Sequence, residues 1–216
     1  MRASDLATSL VAALNTERPP TRPPLVWGPP GVGKSSLITA VAQSLGADLL
    51  VSHPVVEDPT DSKGMPWIWH EDGKTYADFV PFGTLRTACE ATKLTVWLLD
   101  DLGQGPAAVQ AAYMQLLLSR RINGHVLSGK VRMVAASNRQ EDRAGCNKLI
   151  TPLLNRFKHL DMAVSVDDWQ TWALGASIDP SVRSFIRFRP GLIHRFDASR
   201  GERAFPTPRS WEAVYD

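Results

Sequence analysis

Apolar and polar positions alternate along this chain in two rhythms, one of period near 3.6 and one of continuous short runs. Leu6, Leu10, Val11 and Leu14 recur at helical spacing. With Ser4 or Asp5 as a cap, they predict a helix over residues 3–15. The tract Arg18-Pro19-Pro20-Thr21-Arg22-Pro23-Pro24 ends it, because proline cannot continue a helix and restricts its predecessor. Leu25-Val26-Trp27 reads as a short buried strand, residues 33–45 as a helix and 48–53 as a second apolar strand. Residues 54–80 carry turn formers at Asp58-Pro59, Asp61-Ser62 and Asp72-Gly73. Trp67-Ile68-Trp69 and Thr75-Tyr76-Ala77 flank the last of these as hairpin arms. A helix follows over 81–92. Leu94 to Leu99 is a continuous apolar run, the signature of a parallel strand covered on both faces. Pro106 to Ser119 reads as a helix with proline in its first turn. Turns at Asn123-Gly124 and Ser128-Gly129 precede a strand over Val131–Ala136. A helix over Leu149–Phe157 and a strand over Leu160–Val164 come next. The pattern is helical from Asp167 on, through Trp169, Trp172 and Leu174, then Val182, Phe185 and Ile186.

Strands alternating with helices predict an α/β fold, a three-layer αβα core around a parallel sheet. The expected division is an N-terminal helix (1–17), a core (18–166) with an insert and hairpin at 54–80, and a helical lid (167–216). The length of 216 residues suits one such core plus a small appendage. A formal charge of +2 lacks the basic excess of a general nucleic-acid binder, and Arg120-Arg121 reads as solvated surface. Cys89 and Cys146 match no metal-ligand spacing and are expected as free thiols. The histidines are too scattered for a zinc site. Met1-Arg2-Ala3-Ser4-Asp5 begins no secretory signal, and no apolar run nears the ~20 residues of a membrane span. A cytoplasmic protein is expected.

Gly28-Pro29-Pro30-Gly31-Val32-Gly33-Lys34-Ser35 fits the phosphate-loop pattern G-x-x-x-x-G-K-[ST]. Its glycines let backbone N–H groups turn inward around an anion without Cβ clashes. The loop opens into a helix whose N-terminal amides, including those near Ser36, favour phosphate. Lys34 is placed to reach the β- and γ-phosphates, and the Ser35 hydroxyl to ligate Mg²⁺. Downstream, Asp100 and Asp101 end a buried strand, at the sheet edge where open α/β folds bind ligands. Asp100 is the expected Mg²⁺ partner, and Asp101 the general base or water-positioning group.

With both motifs in place the chain resembles the AAA+ ATPases, and among them the MoxR-like, helix-2-insert branch. Gly28–Ser35 resembles Walker A and Val96–Asp101 resembles Walker B. Val134-Ala135-Ala136-Ser137-Asn138 is similar to the strand that ends in the sensor 1 asparagine, Asn138. Pro152-Leu153-Leu154-Asn155-Arg156-Phe157 resembles the segment with the arginine finger, Arg156. Pro208-Arg209-Ser210-Trp211 resembles sensor 2, with Arg209 contacting the nucleotide from the lid. The resemblance implies ATP with Mg²⁺, adenine rather than guanine, and a ring, most often a hexamer, in which Arg156 serves a neighbour. It departs from the family at Asp101, where glutamate is usual. A carboxylate one methylene shorter implies slow hydrolysis unless the backbone compensates. It departs again at the C-terminus, where Arg209 lies seven residues from the end. The lid is therefore expected to be short or truncated.

Three functional readings follow. The first is a chaperone-like ATPase remodelling a protein partner, which in this group often carries a von Willebrand factor A domain. The second is a DNA-directed motor or loader, of phage or plasmid type. The third is a slow or non-hydrolysing nucleotide switch. Trp67 and Trp69 either grip an extended chain or pack beneath the hairpin. Residues 121–132, with His125, Lys130 and Arg132, either touch a DNA backbone or form a solvated connection.

Overall fold

The computed structural model describes residues 1–142, 149–197 and 204–215. Its elements run α1 (Ala3–Leu14), β1 (Pro24–Trp27), α2 (Lys34–Ser44), β2 (Asp48–Ser52), α3 (Pro59–Lys63), β3 (Met65–Glu71) and β4 (Lys74–Val80). They continue with α4 (Gly83–Glu90), β5 (Thr95–Leu99), α5 (Ala107–Ser119), β6 (Arg121–Ile122), β7 (His125–Val126) and β8 (Val131–Ser137). Last come α6 (Thr151–Leu154), β9 (Lys158–Asp161), α7 (Val166–Gly175), α8 (Pro180–Phe188) and α9 (Pro208–Glu212).

Five strands form one parallel sheet in the order β2-β5-β8-β1-β9. Successive side chains of a strand point to opposite faces, so each central strand feeds two cores. Val26, Val96, Leu98, Val134 and Ala136 pack against α1 (Leu6, Leu10, Leu14) and α2 (Ile38, Val41). Leu25, Trp97, Leu99, Met133 and Ala135 pack against α4 (Leu85, Ala88) and α5 (Val109, Tyr113, Leu116). This is the expected three-layer arrangement. The C-terminal helices have a small cluster of their own, built on Trp169, Ala173, Val182, Ile186 and Ile193. Among the described residues no helix is long and apolar enough to cross a membrane.

Four local expectations change. The N-cap of α1 is Arg2, with no side-chain cap bond, so Ser4 and Asp5 lie inside the helix rather than capping it. The helix expected over 149–157 is the single turn α6, and the last strand is β9 at 158–161 rather than 160–164. Lys158 and His159 are exposed, yet their backbone pairs with Pro24 and Leu25 on the one side that β9 shares with the sheet. Residues 58–63, read as turns, fold into α3, where Asp58 and Asp61 form a reciprocal capping box.

Candidate phosphate and metal site

The site lies where β1, β5 and β8 release the chain at their C-terminal ends. After Trp27 the backbone enters the loop 28–33, in which Gly31 (φ +74) and Gly33 (φ +95) take left-handed conformations that L side chains resist. Gly33 caps α2, so the helix N-terminus opens into the loop. Lys34, only 6% exposed, turns back into this concavity. Its Nζ donates to the carbonyls of Gly28 (3.0 Å) and Pro29 (3.1 Å) and to Asn138 Oδ1 (2.7 Å). Trp27 lies opposite Ser137 in the β1–β8 ladder, which is why the next residue, Asn138, meets the lysine. Ser35 Oγ donates to Asp100 Oδ1 at 2.7 Å, and Ser36 is exposed one step along the helix.

The two aspartates play different parts. Asp100 N–H donates to Ser52 O (2.8 Å) and so prolongs the β2–β5 ladder, with its carboxylate facing Ser35. Asp101 sits at φ +50, ψ 40, a left-handed conformation that aspartate tolerates better than most residues. Its N–H donates to Asp100 Oδ1 at 3.1 Å. Burial, then the Asp100 charge, pushes the Asp101 carboxyl above the ordinary aspartate range, against the opposing fields of Lys34, Arg209 and His53. A hydroxyl and a carboxylate 2.7 Å apart suit a hard cation. Magnesium in nucleotide sites takes one or two protein oxygens and draws the rest from phosphate and water. The pair therefore fits Mg²⁺. Among the described residues no group of three or more His, Cys, Asp or Glu could hold a metal by itself.

The C-terminal helices close over the loop. Thr207 caps α9, and its side chain is packed so tightly on Gly31 that a β carbon there would lie 2.7 Å from Thr207 Cβ. The Arg209 N–H donates to Gly31 O (3.2 Å) and His194 Nε2 donates to Pro30 O (3.1 Å). Burial pushes the His194 pKa down. The Arg209 side chain is exposed, near enough to Asp101 to draw its pKa down. Beside the loop lies a cleft of about 220 Å³ whose walls include Ala3, Leu37, Met162, Trp169, Trp172 and Pro208. Whole small-molecule pockets run to roughly 300–1,000 Å³, so this one suits a single ring system with its phosphates held outside.

Arg156 stands apart. It is exposed just before β9, whose first residue pairs with Pro24. The four residues of β9, at about 3.3 Å each, put ~13 Å of strand between that end and the phosphate loop. The sequence pattern thus brings Lys34, Ser35, Asp100, Asp101 and Asn138 together with Arg209 nearby, and leaves Arg156 outside. It missed His194 and Thr207. The latter had a local signal in Thr207-Pro208-Arg209-Ser210, a capping pattern with proline at its start. His194 had none, since its contact spans 164 residues.

The insert is a protruding ribbon. β3 and β4 pair from Met65↔Val80 to Glu71↔Lys74 around Asp72-Gly73, both at positive φ. Trp67 is 60% and Ile68 62% exposed, and Trp69 stacks on Tyr76 in the open (5.6 Å). The tryptophans therefore do not pack beneath the hairpin. Its root is braced by the β6–β7 turn, where His125 Nε2 contacts Phe79 O (2.6 Å) and Asn123 Nδ2 donates to Lys63 O (2.9 Å). Arg132 is buried, its guanidinium donating to Gly129 O and Thr16 O. Cys89 is a free thiol raised in pKa by burial and by Glu90, whereas Cys146 lies outside the described residues.

Comparison with known proteins agrees with this fold. Residues 24–162 match the model of the ATPase family associated with various cellular activities (AAA). No curated protein matches. Among solved structures, that of the Thermotoga maritima RuvB Holliday junction branch migration motor superposes with a TM-score of 0.51 at 17% identity, over 78% of this chain and 47% of that one. A variant of the same RuvB superposes with a TM-score of 0.56 at 17% identity, over 97% of this chain and 58% of that one. The chain thus spans about half the length of the structures it resembles, and the likeness is one of fold.

Proposed function

Because the chain belongs to the AAA family of ATPases, binding ATP with Mg²⁺, we propose that it works as a ring, a hexamer, that remodels a protein partner gripped by the β3–β4 hairpin. The observation that carries the ATPase part is the joint placement of Lys34 on Asn138 and Ser35 on Asp100. Lys34 exchanges the Gly28 and Pro29 carbonyls for the β- and γ-phosphates. Ser35 and Asp100 would hold Mg²⁺, which when bound would supply charge to offset that developing on the phosphoryl oxygens. Asp101, made more basic by burial, takes the proton of the attacking water, and Asn138 orients that water. Arg156, exposed at the far end of β9 from its own phosphate loop, serves a neighbour's γ-phosphate. Arg209 contacts the nucleotide from the lid. Asp101 in place of glutamate makes turnover slow. Calorimetry and phosphate release test this: the parent binds ATP and hydrolyses it, and Lys34→Ala does neither. Parent-level binding by Lys34→Ala would refute the assignment.

The protein target rests on the hairpin. It exposes Met65, Trp67, Ile68, Phe79 and Val80, and large exposed apolar area marks an interaction surface. Within residues 65–80, Glu71, Asp72 and Asp78 stand against Lys74 as the only lysine or arginine, a balance that repels a phosphate backbone. That favours a polypeptide, including one presented by a von Willebrand factor A domain, and a MoxR-like role. The RuvB-like fold motivates a second reading, a DNA motor. Turnover with single- and double-stranded DNA separates the two. Tenfold stimulation by DNA would replace the first reading with the second.

A further inference from the structure

Four successive carbonyls of the phosphate loop each accept a hydrogen bond, and the donors divide in an ordered way. Gly28 O and Pro29 O accept from Lys34 Nζ, Pro30 O from His194 Nε2 and Gly31 O from the Arg209 N–H. In a trans peptide the C=O and the following N–H point in opposite directions. The two carbonyls aimed at Lys34 precede Pro29 and Pro30, which have no N–H to lose. The two held by the C-terminal segment precede Gly31 and Val32. A donor that holds one of those carbonyls therefore also fixes the amide that follows it, Gly31 or Val32, in the opposite direction. A carbonyl can only accept, so His194 carries its proton on Nε2.

His194 is held firmly for this task. Ile193 beside it is buried in the C-terminal cluster, Leu192 O accepts from Trp211 Nε1 (2.8 Å), and the Arg195 N–H donates to Pro206 O (2.9 Å). We propose that His194 is a positioning residue for the phosphate loop. From the lid it fixes the Pro30 peptide so that the Gly31 amide is already aimed at phosphate when nucleotide arrives. Preorganisation of this kind raises affinity by sparing the ordering cost at binding. This inference rests on the nucleotide-binding reading above and adds a residue to it.

The test uses the full chain with Mg²⁺, measuring ADP and ATP affinity by calorimetry, melting without nucleotide, and steady-state turnover. His194→Phe keeps a ring and loses the donor. His194→Gln keeps an N–H donor at similar reach. The expected result is a loss of about five- to tenfold in affinity for both nucleotides with Phe, the worth of one hydrogen bond. Gln stays within about twofold on the same reasoning. KM rises with Phe while kcat holds, and all three proteins melt together. If Phe does not fold, His194→Leu takes its place as the donor-free variant. Native affinity in the donor-free variant, or an equal loss with Gln, overturns the proposal alone. A parent chain that binds neither nucleotide overturns the nucleotide-binding reading and this one with it.

Discussion

Adding one methyl group at Gly31 should uncouple the C-terminal helices from the phosphate loop. Gly31→Ala must hold φ +74, which costs an L residue about 1–2 kcal/mol. It must also place a β carbon 2.7 Å from both Cβ and Oγ1 of Thr207, an overpacking worth a further ~1–3 kcal/mol. Thr207 has little room to yield, since its hydroxyl caps α9 at Ser210. Gly33→Ala is the internal control, because it holds φ +95 with nothing within 4 Å of the new carbon and bears the backbone cost alone. For a chain of this length one kcal/mol shifts the melting temperature by roughly 2–4 °C. Thermal melting without nucleotide should therefore lower Gly33→Ala by about 2–8 °C and Gly31→Ala by about 4–20 °C. Protease should also reach the C-terminal helices sooner in Gly31→Ala. If Gly31→Ala melts no lower than Gly33→Ala, the Thr207 contact carries no energy and the coupling argument fails.

Other expectations follow from the same site. Asp101→Asn keeps a residue that tolerates the left-handed turn and removes the proposed base, so kcat should fall by about 10²–10⁴ while ATP affinity persists; unchanged phosphate release would remove Asp101 from the chemistry. The Asp101 pKa is raised in the fold above the ordinary 3.8. Ionising it therefore costs stability as pH rises through and above that value. Asp101→Asn should accordingly gain melting temperature over the parent at neutral pH, an advantage that vanishes below pH 3.8; a constant offset at all pH values would contradict this. On the proposed ring, mixing Arg156→Ala with Lys34→Ala protein should restore turnover that neither has alone, because one would supply intact sites and the other intact fingers, and a strictly additive mixture would argue against a shared site. Trp67→Ala with Trp69→Ala should leave basal turnover intact and abolish stimulation by unfolded polypeptide, which is read from phosphate release with and without that substrate.

What the sequence disclosed was local. Gly28–Ser35 and Asp100-Asp101 are contiguous patterns whose chemistry follows from spacing, and the three central strands β1, β5 and β8 announce themselves by their apolar runs. The Asp72-Gly73 turn likewise identified its hairpin. β9 was displaced because an edge strand needs only one paired side, and Lys158-His159 gave no apolar rhythm. α6 shrank because an apolar stretch of nine residues does not distinguish a helix from a turn packed on a core. The pairing of Lys34 with Asn138 follows from β1 lying beside β8, and the strand order is a property of the whole sheet. The left-handed turn at Asp101 and the grip of His194 on Pro30 are set by tertiary contacts and had no counterpart in residue pattern.

The place of β1 in the sheet also governs when the protein can mature. Its neighbours on both sides are synthesised late: Leu25 pairs with Ala135 in β8 and His159 in β9, and the Trp27–His159 bond closes a span of 132 residues. A nascent chain emerging from the ribosome thus carries its anion-binding turn well before the two strands that flank β1, with neither yet present to set it. Competence for ATP should switch on abruptly once β9 has left the exit tunnel, and such long-range closure makes for slow folding. Stalled translation intermediates ending before residue 158 should be unable to retain nucleotide, and those ending well past it should hold it.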